Sequence, residues 1–330
     1  MSEPFNDYLE DIVEELESPK LWSETSDFES AKNDVVYNLR MCSTSFNILF
    51  NRSILFGTAA HRTRLYTDDR YDVMLELLIP SYQKISSFEN NDNYVCLDVS
   101  DVPYDLPISD QKDLINRHLL KNWLDDIFLK AFDRYINSFW GSKYYELTYE
   151  LHDMSHVVFA RSKTRAFKIV FVPSIKCVLG APVSAITKLV PGSLAKYSFL
   201  PSQPEVEHNR LQVDVVRKAL ILLQALCEAK GLTEIRYYQL VNLGISPHVN
   251  KYAITTTLDD VFLMLLAELC DAVESQHLAH YFLGDLNLLG NISCEELYEY
   301  ESILDRAYST LSSYVHQGAL SYERCRSHFE

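Results

Sequence analysis

Apolar and polar positions fall into two regimes along the chain. Up to about residue 190, short alternating runs interrupt helical ones; beyond that point the apolar period is helical throughout. Helices are expected over 6–17 and 27–47, the second carrying an apolar stripe of Phe28, Ala31, Val35, Val36, Leu39 and either Phe46 or Ile48. A Gly57-Thr58 turn follows. Alternation then predicts strands over 71–79, 94–99, 143–151, 155–160 and 166–172. Between them a helix near 110–139 gathers Leu120, Trp123, Leu124, Ile127, Phe128, Ala131, Tyr135 and Ile136 on one face. The stretch "VLGAPVSAITKLVPGS" over 178–193, with Gly180 and Gly192 as turn residues, reads as a loop between lobes.

In the second half, "VDVVRKALILLQALCEAKG" stops at Gly231, a C-terminal cap residue. Thr257 with Asp260 and Ser293 with Glu296 have capping-box spacing before two further helices. The expected class is therefore α+β and bilobal: a mixed sheet with flanking helices over 1–190, with the acidic N-terminal helix included, then an all-helical lobe over 191–330.

Charge narrows the partners. Lys and Arg number 30 against 46 Asp and Glu, a net of -16. Residues 1–30 carry ten acids and one lysine, a net of -9, so -7 remains for the rest. A polyanion binder needs basic clusters, so nucleic acid is not an expected partner. The acidic start is either a solvated helix face or a docking segment for a protein partner. No apolar run is long enough to span a bilayer, and the N-terminus lacks the pattern of a secretion signal, so an intracellular protein, cytoplasmic or nuclear, is expected. Seven scattered cysteines, none in a CxxC pair, read as reduced thiols. His152 and His156 have helical spacing but lie in alternating sequence, which predicts surface positions on neighbouring strands, not a zinc pair.

Four stretches then carry a resemblance. They are "FGTAAHRTRLYTDDRYDVMLELLIP", "ISDQKDLINRHLLKNWLDDIFLKAF", "RAFKIVFVPSIKC" and "LDDVFLMLLAELCDAVESQHLAHYFLGDLNLLG", in this order over roughly residues 25–310. Together they resemble the male-abnormal twenty-one (Mab) family of nucleotidyltransferase-fold proteins, whose best-known enzyme is cyclic GMP-AMP synthase. The resemblance implies a nucleotidyltransferase fold. It also implies, for active members, a Gly-Ser turn against the phosphates and three carboxylates: two on one strand two residues apart and a third on a neighbouring strand. These hold two magnesium ions.

Carried over position by position, Gly57 and Thr58 match the turn, Arg70 stands at the first carboxylate, Asp72 matches the second, and Val170 stands at the third. Tyr197, Ser198 and Phe199 take the place of the family's Trp-x-x-Ser-Phe segment, and the zinc thumb of the DNA-sensing synthase is absent. One carboxylate beside a guanidinium does not offset two divalent charges. The leading expectation is a catalytically inactive regulatory or scaffold subunit with no cofactor, binding protein partners through the acidic N-terminal segment or the helical lobe.

Two alternatives stay open. An active synthase would recruit displaced carboxylates, Asp69 or Glu76 with Asp72, to bind magnesium. A sensor without turnover would bind nucleotide at Gly57, Thr58 and Arg70, with His61, Arg62 and Arg64 near in sequence. Asp68 is a further upstream acid. Sliding the strand by one residue to recruit such neighbours would turn Val73, Leu75 and Leu77 to the opposite face.

Overall fold

The computed structural model describes residues 4–17, 21–90, 93–103, 105–134, 137–140, 143–152, 154–179, 181–187, 196–253, 256–317 and 319–330. In chain order the elements are α1 (Pro4–Leu16), α2 (Leu21–Cys42), α3 (Thr44–Leu49), β1 (Phe50–Phe56), α4 (Thr58–His61), β2 (Arg70–Leu77), β3 (Ser86–Glu89), β4 (Val95–Asp98) and α5 (Arg117–Arg134). Next come β5 (Asn137–Trp140), β6 (Lys143–Leu151), β7 (His156–Arg161), β8 (Ala166–Leu179), β9 (Ala181–Ile186) and β10 (Leu200–Ser202). Helices complete the chain: α6 (Pro204–Arg210), α7 (Asp214–Ala229), α8 (Tyr237–Gly244), α9 (Pro247–Tyr252), α10 (Leu258–Glu274), α11 (Cys294–Tyr314) and α12 (Tyr322–Arg326). The class is α+β.

The chain divides into two compact units: a sheet unit of Lys20–Ala59 and Asp69–Pro204, and a helical unit of Met1–Pro19, Ala60–Asp68 and Glu205–Glu330. This differs from a single boundary at residue 190. The acidic N-terminal helix and residues 60–68 belong with the helical unit, because α1 buries Phe5, Leu9, Ile12 and Val13 completely or nearly so. Such long-range packing leaves no mark at a composition boundary.

In the sheet unit an eight-stranded sheet runs β1-β2-β8-β7-β6-β5, with β9 paired to β8 and β10 to β9. β2 and β8 are parallel, from Arg70 opposite Lys168 to Leu77 opposite Ile175, whereas β1–β2 and β7–β8 are antiparallel. The sheet is therefore mixed. Tyr71, Val73, Leu75 and Leu77 share one face of β2, as period-two alternation requires. On that face Phe28 of α2 stacks on Tyr71 with ring centroids 4.1 Å apart, and Phe128 of α5 lies 5.7 Å from Phe171. Asp72, Met74 and Glu76 point to the other face. β3 and β4 form a separate two-stranded sheet.

Local differences from the expected elements have local causes. The helix expected over 27–47 ends at Cys42, because the Ser43 side chain accepts from the Phe46 amide and caps a new helix. Phe46 of the predicted stripe is buried and Ile48 is exposed. α5 starts at Arg117 instead of 110, since Asp110 accepts from the Lys112 amide and the Tyr197 hydroxyl at a turn, and Leu114 and Ile115 then form β-bridges with Asp98 and Ser109. Trp123 and the rest of the predicted apolar face lie on α5, whereas Tyr135 and Ile136 fall outside the described residues. Within the loop expected over 178–193, residues 178–179 and 181–186 are β-structure instead, with Lys176 to Leu179 paired to Ser184 to Ala181; Gly180 and 188–193, Gly192 among them, lie outside the described residues.

In the helical unit, Gly231 sits at φ 71° just past α7, and the Leu232 amide donates to the Cys227 carbonyl, a left-handed helix stop. Ser293 and Glu296 make the reciprocal capping box. Thr257 does not: its hydroxyl donates to Asp260, while Asn6 of α1 accepts from the Leu258 and Asp259 amides at 3.0 and 3.3 Å and caps α10 from another helix.

Candidate functional site

β2 begins where the sheet unit's candidate chemistry gathers. Arg70 and Asp72 are two residues apart and so project from the same face. The Arg70 guanidinium donates twice to one oxygen, with Nη2 at 2.7 Å and Nε at 3.1 Å from Asp72 Oδ1. The Asp72 side chain is 13% exposed and that of Arg70 35%, so the pair sits at the edge of burial.

The neighbouring strands fix what surrounds the pair. Phe56 of β1 and Val170 of β8 lie directly opposite Asp72 on its two sides, and Val170 is buried. Gly57 follows Phe56 at φ 73°, and a Cβ there would stand 3.4 Å from Asp72 Oδ2. The turn thus needs glycine for its backbone angle and brings main chain close to the carboxylate. Thr58, the next residue, is half-buried at the start of α4.

The other acids singled out in the sequence serve other places. Asp69 is exposed, with Oδ1 3.3 Å from Lys168 Nζ, and Lys168 is the residue opposite Arg70 on β8. Glu76 is fully buried, four residues along from Asp72, or about 13 Å at strand rise. Its Oε1 accepts from Asn51 Nδ2 at 2.6 Å and Arg52 Nε at 3.0 Å, its Oε2 accepts from Ser184 Oγ at 2.7 Å, and Lys176 Nζ lies 3.7 Å away. Burial alone would raise the Glu76 pKa, but the bonds from Ser184, Arg52 and Asn51 and the Lys176 charge outweigh it and hold it below its ordinary value. Asp68 belongs to the helical unit, where its carbonyl accepts from Arg64.

His61, Arg62 and Arg64 also fall in the helical unit. His61 is buried with Nδ1 3.0 Å from the Tyr237 hydroxyl, and burial, with His208 nearby, pushes its pKa down to about 3. It carries no charge near neutrality. Arg62 is exposed at φ 58°, and its carbonyl accepts from Arg217. Arg64 is buried.

His156 corrects an expectation. It is not a surface residue: it is fully buried on β7, its Nδ1 2.8 Å from the Tyr149 hydroxyl and 3.3 Å from Asp125 Oδ1, and its ring stacks 4.5 Å from Phe128. Burial first, then the Lys121 ammonium, hold its pKa down to about 3 despite Asp125, which Lys121 already engages. The signal was present in the sequence, since His156 shares strand parity with Val158 and Ala160. His152 is exposed, 3.9 Å from Glu150. Ser198 and Phe199 are buried, and Ser198 accepts from Asn90. Sequence reasoning missed the Glu76 cluster and Lys168 because strand order, not spacing, brings them together.

Among the described residues, no group of three or more His, Cys, Asp or Glu side chains is arranged around a common metal position, and no helix is long and apolar enough to cross a membrane. Two family models match the chain. The Mab-21 protein nucleotidyltransferase domain matches residues 62–191, and the Mab-21 protein HhH/H2TH-like domain matches residues 232–306. Together they cover more than half of the sequence. No curated protein matches it.

Proposed function

The chain belongs to the Mab-21 family, and from that premise we propose that it binds without transferring, as a regulatory or scaffold subunit that acts on other proteins. The observation that carries this reading is the fork of Arg70 onto Asp72. Metal-dependent transfer needs several carboxylate oxygens to hold two divalent cations and to activate the attacking hydroxyl. The donor set here is one carboxylate, already matched by a guanidinium and flanked by Val170. That set does not fit a magnesium pair.

The displaced carboxylates give it little help. Glu76 is committed to Asn51, Arg52, Ser184 and Lys176, and Asp69 to Lys168. Seven free cysteines suit a reducing interior, in keeping with a cytoplasmic or nuclear protein.

The test is incubation of the purified chain with ATP and GTP, with magnesium or manganese, followed by chromatography for products and calorimetry for binding. The expected result is no product. Metal-dependent product that disappears in Asp72→Asn overturns the reading. Metal-independent nucleotide binding without product replaces the scaffold with a sensor that uses Gly57, Thr58 and Arg70.

A further inference from the structure

The helical unit carries a surface that the sheet chemistry does not use. α1 turns Phe5, Leu9, Ile12 and Val13 inward and leaves Asp11, Glu14 and Glu15 exposed. Glu10 on the same helix and Glu17 just past its end are matched by Lys218 and Arg217, at 2.6 and 2.8 Å. The acidic helix is thus a fixed part of the fold, and its exposed acids are held in place instead of being carried on a loose arm.

Beside this row lies a cleft of about 390 Å³, a volume within the range of binding pockets. Its floor is apolar, built by Leu16 at the end of α1, Leu65, Ala225 and Ala229 of α7, and Phe329. Tyr66, 56% exposed, stands at its wall. Glu15, Glu228 and Glu330 form its charged rim. A second cleft of about 490 Å³ shares Glu15 and adds Asp11, Glu14 and Tyr322. Five of the residues lining the two clefts are acidic, and none is lysine or arginine. Arg326 bonds Glu15 and Glu330, at 2.8 Å each, and compensates part of this charge from outside the lining.

An apolar floor inside an acidic rim has a definite complement. The floor offers a desolvated seat for one large apolar side chain, the kind of pocket in which binding energy concentrates, with an exposed tyrosine beside it. The rim selects partners by charge and speeds their approach. Nucleic acids and anionic membrane surfaces carry the wrong sign. We propose that the double cleft formed by α1, α7 and the segment 322–330 docks a basic segment of a partner protein, with an apolar anchor seated between Leu16 and Ala225 and with Lys or Arg residues reaching Asp11, Glu14 and Glu228. This rests on the binding function proposed above and names where and what it binds.

The test uses a phage-displayed library of random peptides selected on the full chain, with counter-selection on a Glu14→Lys/Glu228→Lys variant. Neither glutamate lies in an ion pair described for the protein. The expected outcome is enrichment of peptides that place Lys or Arg around Leu, Phe or Trp. The synthesised consensus peptide should bind the variant about tenfold more weakly and lose affinity as salt rises from about 50 to about 300 mM. The variant's Tm should stay within about 2 °C of the parent, which separates docking from folding. Two outcomes overturn the proposal: no enrichment over the variant, or enriched peptides whose affinity the variant leaves unchanged. A turnover assay on the same preparation separates the two claims. Product formation defeats the non-catalytic reading whatever the peptides do, whereas an inert protein without cleft-dependent peptides defeats the cleft alone.

Discussion

Arg70 places two donors on a single oxygen of Asp72, at 2.7 and 3.1 Å, from a position two residues upstream on the same face of β2. The relationship puts a cation where the resemblance calls for a metal ligand. It also ties Asp72 to its neighbour, because a mostly buried carboxylate that loses a charged donor is destabilised.

Arg70→Ala should therefore destabilise the chain by about 1 kcal/mol, a value tempered by the partial exposure of the guanidinium. Arg70→Lys should recover only part of the loss, since an ammonium is not a planar fork. Urea denaturation of the three proteins measures both. An Arg70→Ala protein as stable as the parent would show that the pair contributes nothing.

Glu76→Ala should be far more damaging, about 3 kcal/mol, because it removes the acceptor shared by Asn51, Arg52 and Ser184 and leaves Lys176 without its counter-charge. The acid limb follows from the lowered pKa. A carboxyl with a depressed folded pKa stabilises above its unfolded value of 4.5, and that stabilisation is lost as pH falls through the folded value. Glu76→Gln should flatten the stability profile below about pH 4.5, and an unchanged profile would contradict the prediction.

His156 acts in a different window. Its pKa is lowered from 6.5 to about 3, so the unfolded chain binds a proton that the folded chain refuses, and stability present above pH 6.5 is lost as pH falls toward 3. Between about pH 6.5 and 5, above the range where ordinary carboxyls titrate, the slope due to this residue approaches about 1.4 kcal/mol per pH unit. Equilibrium unfolding of His156→Gln across that range should show a shallower slope. His61, lowered to about 3 in the helical unit, contributes in the same sense and supplies an independent variant.

Asn6 links the N-terminal helix to α10 by accepting two of its first amides. Asn6→Ala should cost about 1 kcal/mol, the usual worth of an N-terminal cap. Deleting residues 1–17 removes the buried Phe5, Leu9, Ile12 and Val13 as well and should leave the helical unit aggregating or largely unfolded. Hydrogen exchange along α10 reads both effects. Unchanged protection would mean that α1 is only a surface appendage.

Much of the fold could be read along the chain wherever a local period is strong. β2 and β6 alternate apolar with polar side chains, β7 is a short apolar run, and a left-handed glycine, Gly231, follows the end of α7. β1 escaped because "FNRSILF" follows a helix with no glycine or proline to mark the change and shows its burial only at Phe56. β9 escaped because a hairpin partner, not its own composition, makes it a strand. The candidate site divides in the same way. Arg70, Asp72 and Gly57 are near neighbours in sequence, and their approach follows from strand parity and one turn. The four partners of Glu76 come from β1, β8 and β9, and the Asn6 cap reaches α10 from more than 250 residues away, so only strand order and tertiary packing could assemble them.

By the resemblance, Arg70 and Val170 stand where an active relative would place metal ligands beside Asp72. The most direct measurement is calorimetric titration of manganese into the parent chain and into Arg70→Glu/Val170→Asp, with Asp72→Asn as the control in each background. The account predicts no Asp72-dependent binding in the parent and Asp72-dependent binding in the double variant, where three carboxylates share the head of β2 and β8. Manganese binding to the parent that vanishes with Asp72→Asn would contradict it.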